Sequence, residues 1–355
     1  MKNKYRNIFL LFGIAAIIIM LLSFDMDYKE VWHNLKRAGY WFPAILLLWV
    51  FIYMVNALSW YNIIRDGEKS PISYLKVYKL TVTGFALNYA TPGGLMGGEP
   101  YRVMELTPYV GASKATSSVI LYVMMHIFSH ICFWFASIFL YIVLYPVNAM
   151  LGAIFAITGF VLLFLIYLFL RGYSKGMAVK TIRFLGCVPF AKNWARRFSI
   201  EKKETLKKID LQIAELHKQR KATFYSSLGL ELLARVMTCV EVYFILNILT
   251  TNVSFPSCIL IMAFTSLFAN IFFFSPMQLG AREGGFAIAV AQLAIPGAYG
   301  VYTGLISRVR ELIWIIIGVA LMKVGTGVTK NKKEANKLIG GGLTTIQKEE
   351  KKGVD

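Results

Sequence analysis

Six long apolar runs constrain the fold of this chain more than any other feature. Each can cross about 30 Å of hydrocarbon at about 1.5 Å per residue. Hydrophobic residues make up 57% of the chain and charged residues 16%, whereas a soluble domain has about 25% charged residues. The sequence therefore predicts an all-α polytopic membrane protein with six full transmembrane helices. The runs are Ile8 to Phe24, Trp41 to Ile64, Val119 to Tyr145, Ala149 to Leu170, Phe224 to Leu249 and Val301 to Val324.

Two further apolar segments each end at a stretch rich in proline and glycine. Val77 to Tyr89 leads into Thr91 to Pro100 (TPGGLMGGEP), and Ser257 to Phe274 leads into Ser275 to Gly284 (SPMQLGAREG). A proline inside a helix removes a hydrogen bond and strains the preceding turn, so both helices are expected to break there. Matching positions keep one spacing, because 283 minus 99 and 276 minus 92 both give 184. This constant spacing indicates a duplicated half.

The loop charges predict how the broken segments cross the membrane. Cytoplasmic loops carry an excess of Lys and Arg. If both breaks turn back near mid-depth, then the N-terminus, the loop Arg65 to Lys69, the stretch Arg171 to Lys221 and the tail all face the cytoplasm. We therefore expect two re-entrant segments that enter from opposite faces, as in an inverted repeat. The protein is expected in the cytoplasmic (plasma) membrane, as a multi-pass protein with both termini cytoplasmic.

This reading divides the chain into a membrane domain and a tail. The transmembrane domain covers 1–324, with half one at about 41–170 and half two at about 224–324. Between them, 171–223 is a basic cytoplasmic linker with the pattern of an amphipathic helix on an anionic leaflet. The tail 325–355 mixes charges and glycines in a way typical of disorder. Since membrane topology explains the net charge of +19, no nucleic-acid partner is expected.

Ten ionisable side chains lie within or beside the apolar segments, where an ionised group costs several kcal/mol unless it is paired or hydrated. Glu231 with Arg235, and Arg308 with Glu311, have helical spacing and can neutralise each other. Structural bracing and substrate contact both remain open for these pairs. The ten residues are Glu99, Arg102, Glu231, Arg235, Glu241, Arg282, Glu283, Arg308, Arg310 and Glu311.

The two breaks form the expected substrate site. Half-helix N-termini present free amides and partial positive charge, which suit a phosphate. Glu99 and Glu283 have two open roles, either contact with a cationic head group or capping of the helices and holding of the arginines. The expected substrate-binding residues are Pro92, Gly93, Gly94, Gly97, Gly98, Glu99, Arg102, Pro276, Gly280, Arg282, Glu283, Arg308 and Glu311.

The sequence contains no pattern that predicts a catalytic residue, a cofactor or a metal site. It has no paired nucleophile and base, no Asp-rich metal motif and no Walker-type loop. His126 and His130 stand one helical turn apart without a third ligand nearby in sequence, so packing or hydrogen bonding is their expected role.

The stretch Thr91 to Arg102, and Leu279 to Glu283 followed by Arg308, resemble the paired signatures of the flippase-like transmembrane domain of lysylphosphatidylglycerol synthases. The resemblance covers about Ile8 to Val324 and implies movement of lipids rather than their synthesis. In two-part members, a soluble domain transfers lysine to the lipid and the membrane region carries the product across. Because the tail is far shorter than a catalytic domain, lysyl transfer by this chain is not expected. Relatives commonly carry an arginine and an aspartate in the span that here contains His126 and His130.

Three function classes remain open. A flippase-like translocase would move a phospholipid or a lipid-linked molecule between leaflets. An intramembrane enzyme would act on a lipid-linked substrate, and a scaffold would support a separately encoded lipid-modifying synthase. The expected partners are membrane lipids, namely an anionic or aminoacylated phospholipid or a lipid-linked sugar, and such a separate synthase.

Overall fold

The computed structural model describes residues 11, 28–65, 72–90, 97–173, 221–250, 253–272, 278 and 280–323. All regular structure in these ranges is helical, which confirms the all-α prediction there. The first apolar run apart from Leu11, most of the basic linker and the tail lie outside the described residues. The helices are α1 (Tyr28–Ala38), α2 (Trp41–Arg65), α3 (Tyr74–Ala90), α4 (Gly98–Val110), α5 (Ala112–Leu144), α6 (Ala149–Tyr173), α7 (Lys221–Leu249), α8 (Phe255–Ile271), α9 (Ala281–Ala291) and α10 (Gly297–Leu321).

Four described helices, α2, α5, α6 and α7, are long and apolar enough to cross a membrane. Each coincides with one of the predicted spans, with ends that differ by a few residues. The predicted span Val301 to Val324 is also one helix, α10, of 25 residues. Its middle carries Arg308, Arg310 and Glu311, so α10 requires partners for three ionisable groups wherever it crosses hydrocarbon.

The helices beside the two breaks are shorter than the hydrocarbon core. Helices α3 and α8 have 17 residues each, whereas α4 has 13 and α9 has 11. At 1.5 Å per residue these lengths are about 26, 20 and 17 Å, against about 30 Å for the core. Two pairs result, α3 with α4 and α8 with α9, and each pair is in contact. The predicted helix ends before Pro92 and Pro276 are therefore present, although 91–96 and 273–277 lie outside the described residues.

The contacts among the four helices α2 to α5 recur among the four helices α7 to α10. In the first half, α2 packs on α3, α3 on α4, α4 on α5, and α2 on α5. In the second half, α7 packs on α8, α8 on α9, α9 on α10, and α7 on α10. Contacts between the halves also match, because α3 packs on α10 and α5 packs on α8.

The first helices of the two halves, α2 and α7, pack antiparallel. Near the end of α2, Ser59 and Ser227 each donate a hydroxyl hydrogen bond to the other's carbonyl oxygen, at 3.1 and 3.2 Å. Nearer the start of α2, Trp49 Nε1 donates to Glu241 Oε2 at 3.0 Å. Late residues of α2 therefore meet early residues of α7, and early residues meet late ones.

Glycines allow close contact between the helices beside each break. A Cβ atom on Gly98 would lie 2.1 Å from the carbonyl oxygen of Gly84, so α4 touches the backbone of α3. Later in the chain, a Cβ atom on Gly300 would lie 2.5 Å from the carbonyl oxygen of Phe286, between α10 and α9. Such small-residue contacts are typical of helix packing in membranes.

Candidate functional site

At the first break, a side chain from α3 holds the start of α4. The amide of Gly98 donates to Asn88 Oδ1 at 2.8 Å, and Asn88 Nδ2 donates to Glu99 Oε1 at 2.8 Å. Asn88 thus satisfies one of the free amides at this helix start and also orients the glutamate. Glu99 is held by protein groups at this position.

Arg102 lies one turn after Glu99 and is enclosed by protein, with 1% of its surface exposed. Its Nη1 is 3.6 Å from Glu99 Oε1, and its Nη2 donates to the carbonyl oxygen of Thr81 at 3.3 Å. Aromatic faces favour a nearby cation, which partly offsets burial of the charge. The guanidinium carbon lies 5.0 to 5.6 Å from the ring centroids of Phe85, Tyr122 and Trp60.

At the second break, Glu283 caps a helix and also holds an arginine. The amide of Gly280, which has φ of 76°, donates to Glu283 Oε2 at 3.0 Å, so the glutamate satisfies a free amide at the start of α9. Glu283 Oε1 accepts from Arg308 Nε at 2.8 Å, and Arg308 Nη2 donates to the carbonyl oxygen of Gln278 at 3.1 Å. These contacts are those of one of the two roles that the sequence left open for this glutamate, namely capping a helix and holding an arginine.

Glu311 of α10 is shared by three arginines. Arg308 Nη1 lies 3.3 Å from Glu311 Oε2, which is the predicted pair at helical spacing. Arg282 donates to Glu311 Oε1, and Arg310 Nη1 lies 3.7 Å from the same oxygen. The carboxylate is buried, so its charge depends on these neighbours.

A second buried pair connects α10 to α7. Arg310 Nε and Nη2 donate to the two oxygens of Glu241 at 2.9 and 3.1 Å, a bidentate arrangement. The ring of Trp49 on α2 lies 3.8 Å from the Arg310 guanidinium carbon. Both charged side chains are 4% exposed. The buried pair, together with Trp49, therefore links helices α10, α7 and α2.

The histidine cluster, defined as His126 with Glu231 and Arg235, joins α5 to α7. His126 Nδ1 lies 2.8 Å from Glu231 Oε2, and Arg235 Nη2 lies 2.7 Å from His126 Nε2. A guanidinium group only donates hydrogen bonds, so Nε2 is assigned as the acceptor and Nδ1 as the protonated nitrogen that donates to Glu231. His126 thus contacts both Glu231 and Arg235, whose charges also lie within electrostatic reach of each other.

Tyr89, near the end of α3, connects the first break to the second. It lies within electrostatic reach of Arg282, Arg310 and Arg235. The Phe85 ring, one turn earlier, lies 5.7 Å from the His126 ring. The ion pairs at both breaks, the pair Arg310 and Glu241, and the histidine cluster therefore lie close together. Together with Asn88 and Tyr89, these residues are called the polar belt.

A family model described as the lysylphosphatidylglycerol synthase TM region matches residues 8–319. The chain belongs to this family. The match includes both broken segments and every ion pair of the polar belt, and it confirms the resemblance given by the two motifs. Comparison with curated proteins and with solved structures gave no match.

Membership of the lysylphosphatidylglycerol synthase TM family identifies the chain as a membrane domain of a family related to lipid modification. Within this domain, the structure describes nine of the thirteen expected site residues and brings them together at the two breaks, four at the first and five at the second. The first group is Gly97, Gly98, Glu99 and Arg102, and the second is Gly280, Arg282, Glu283, Arg308 and Glu311. Pro92, Gly93, Gly94 and Pro276 lie outside the described residues.

Several residues of the polar belt were not among the expected site residues of this family member. Glu241 and Arg310 carry a sequence signal, because both are ionisable residues in apolar segments. Asn88 and Tyr89 carry a weaker one, which is their position just before the proline of the first motif. Within the described ranges, no group of three or more His, Cys, Asp or Glu side chains is arranged to hold a metal ion.

Proposed function

We propose that this protein is a lipid translocase that moves a phospholipid or a lipid-linked molecule between the leaflets of the cytoplasmic membrane. The observation that carries the proposal is that helices beside the two matching breaks pack together, α3 on α10, and bring buried ion pairs from both halves of the chain into the polar belt. Broken helices at corresponding places in a repeat are where membrane transporters bind their substrates. Lipid is the substrate class that the family name suggests.

An inverted repeat is part of this proposal and is supported by helix directions. Equivalent helices α2 and α7 run antiparallel, as a two-fold axis in the membrane plane requires. In addition, α5 and α8 pack antiparallel. Trp134 of α5 donates to Ser266 at 2.9 Å, while Tyr145, the residue that follows α5, lies 3.0 Å from Ser257, earlier in α8. The two breaks then open toward opposite leaflets, which gives a lipid head group an entry from either side.

The balance of charges in the polar belt favours transient exchange between its ion-pair partners and a lipid head group. Five arginines and five glutamates make up the ten ionisable residues that the sequence places in or beside the apolar segments, so the belt carries no large net charge. A head group with both a phosphate and a polar or cationic part can replace one side chain of an ion pair at a time. No charge is then left unpaired in hydrocarbon. The belt thus offers a polar path that the lipid interior lacks.

Leaflet-resolved transfer by the purified full chain tests the proposal. Vesicles of phosphatidylcholine with a fluorescent phosphatidylglycerol would be prepared with and without protein, and dithionite would bleach the outer-leaflet label. We expect nearly all of the label to become accessible in protein-containing vesicles without nucleotide, and only about half in protein-free vesicles. Equal accessibility in both would contradict translocation. A chemically altered lipid on extraction would instead indicate the enzyme alternative.

A further inference from the structure

Arg235 differs from the other arginines of the polar belt. Arg102, Arg282, Arg308 and Arg310 each form a salt bridge with a glutamate. In the described part of the chain, the charged groups of Arg235 form none, and its contacts are the His126 ring and, at 3.5 Å, the hydroxyl of Ser129. Its positive charge is therefore the least directly neutralised of the five.

Arg235 also lies where a ligand can reach it. Its residue is partly exposed, and 27% of the His126 side chain is exposed, whereas Arg102, Arg308 and Arg310 are 1 to 3% exposed. The contacts of Arg235 use Nε and Nη2, so the two Nη1 hydrogens remain as donors.

Neighbouring groups add hydrogen-bonding capacity beside Arg235. His130 lies one turn after His126 with ring centroids 5.5 Å apart, and its Nδ1 has no hydrogen-bond partner within the described structure. A buried ring nitrogen without a partner is costly, and a ligand oxygen would satisfy it if the nitrogen carries the proton. The hydroxyl of Tyr89 lies within electrostatic reach of Arg235 as well.

We propose that Arg235, assisted by His130, binds the phosphate oxyanion of a lipid head group during passage across the membrane. The planar guanidinium fork matches phosphate oxygens, and the Glu231 carboxylate is hydrogen-bonded by His126 Nδ1 rather than by Arg235. This inference deepens the proposed translocation and rests on it for the event in which the site acts.

The position of Arg235 favours lipid phosphate over free phosphate. Arg235 is the central residue of the 29-residue helix α7, which is long enough to span the membrane. A site at mid-depth is reached by a head group whose acyl chains stay in the surrounding lipid, whereas a free phosphate ion would have to lose its hydration without such an anchor.

Binding by the detergent-purified full chain tests the site independently of transport. Native mass spectrometry would compare the retention of phosphatidylglycerol with that of diacylglycerol, which lacks the phosphate. Arg235→Gln removes the charge, Arg235→Lys keeps it without the fork, and Lys36→Gln removes an exposed charge on α1 as a matched control. We expect Arg235→Gln to weaken phosphatidylglycerol binding roughly tenfold, with Arg235→Lys intermediate and Lys36→Gln unchanged. Diacylglycerol binding should not change in any variant.

Three outcomes decide the inference. Equal phosphatidylglycerol binding by Arg235→Gln and the wild type, or an equal loss of diacylglycerol binding, overturns it. Competition by excess inorganic phosphate at the wild-type site would assign a free-phosphate site and overturn the lipid assignment. Folding of each variant is checked by its unfolding midpoint. If phosphatidylglycerol binding depends on Arg235 while vesicles show no leaflet transfer, the binding site stands and the proposed translocation fails.

Discussion

Arg310 and Glu241 form a buried ion pair that stabilises the packing of charged helices in the protein interior. Two parallel hydrogen bonds of 2.9 and 3.1 Å join the two groups, and Trp49 covers the guanidinium. Such a pair recovers its desolvation cost only while both partners are present, because either one alone would be a buried, uncompensated charge. Each charged side chain of the polar belt therefore depends on its partner as much as on the backbone that positions it.

Substitution of Glu241 tests this mutual dependence. We expect Glu241→Gln to lower the free energy of unfolding by about 3 kcal/mol, since buried Arg310 then loses its bidentate partner and keeps only Glu311, 3.7 Å from Nη1. Glu105→Gln is the matched control, because Glu105 is partly exposed and forms no ion pair in the described ranges; its effect should stay within about 0.5 kcal/mol. Unfolding in mixed micelles with increasing sodium dodecyl sulfate measures both. Similar midpoints for the two variants would contradict the structural role of the pair.

Glu283 both caps the start of α9 and pairs with Arg308, and a Glu283→Gln substitution separates these two roles. Glutamine retains an oxygen that can accept from the Gly280 amide but loses the charge opposite Arg308. We expect Glu283→Gln to remain folded and to slow leaflet transfer about tenfold, since a charged hydrogen bond contributes about 1.5 to 3 kcal/mol. The vesicle assay with labelled phosphatidylglycerol measures the rate, with Glu105→Gln as the control. Wild-type transfer by a well-folded variant would exclude an essential role for this charge.

Sequence could identify the charged residues of the belt but only some of their partners. An ionisable residue in an apolar run is conspicuous, so Glu99, Glu283 and Arg308 were expected in the site. Pairing between distant segments could not be predicted, because Arg310 and Glu241 are 69 positions apart and no local pattern connects them. For the nearby pair Glu231 and Arg235, the sequence could not predict the third partner, because His126 belongs to another helix.

At the level of helices, the breaks depend on contacts that only glycine allows. A Cβ atom on Gly84 would lie 2.1 Å from Arg102 Nε, so α3 accepts the buried arginine of α4 only without a side chain at this point. Helix ends were predictable, because proline and a change in hydropathy mark them within a few residues. The close contact was not predictable, since it depends on which faces of α3 and α4 meet.

A pair of glycine substitutions tests the contact between α3 and α4. Gly84→Ala should lower the free energy of unfolding by about 1 to 3 kcal/mol, because the added methyl group overpacks the Arg102 side chain. Gly229→Ala on α7 is the matched control, since a Cβ atom there would have no neighbour within 4 Å. This control should be neutral or stabilising by up to about 1 kcal/mol. Equal behaviour of both variants in the micelle unfolding assay would show that the close contact is unimportant for stability.

At the scale of the whole molecule, the duplication that the sequence predicts has a counterpart in the packing of the described helices. The same neighbour relations hold within α2 to α5 and within α7 to α10. Repeated spacing of 184 positions between the motifs could predict this correspondence, because equivalent segments bury equivalent faces. It could not predict that α2 and α7 lie against each other, since either a parallel or an inverted arrangement satisfies the same hydropathy pattern.

Surface labelling distinguishes an inverted repeat from a parallel one. Ala112 and Ala298 are exposed residues at the starts of the equivalent helices α5 and α10. In an inverted repeat these starts lie on opposite faces of the membrane, with Ala112 cytoplasmic if the basic loops are cytoplasmic. In a variant without the four native cysteines, a membrane-impermeant maleimide added to intact cells should label Ala298→Cys and leave Ala112→Cys unlabelled. Lysis should expose both, which controls for reactivity. Labelling of both or of neither in intact cells would contradict the inverted repeat, whereas labelling of Ala112→Cys alone would keep the repeat and reverse the assignment of the cytoplasmic face.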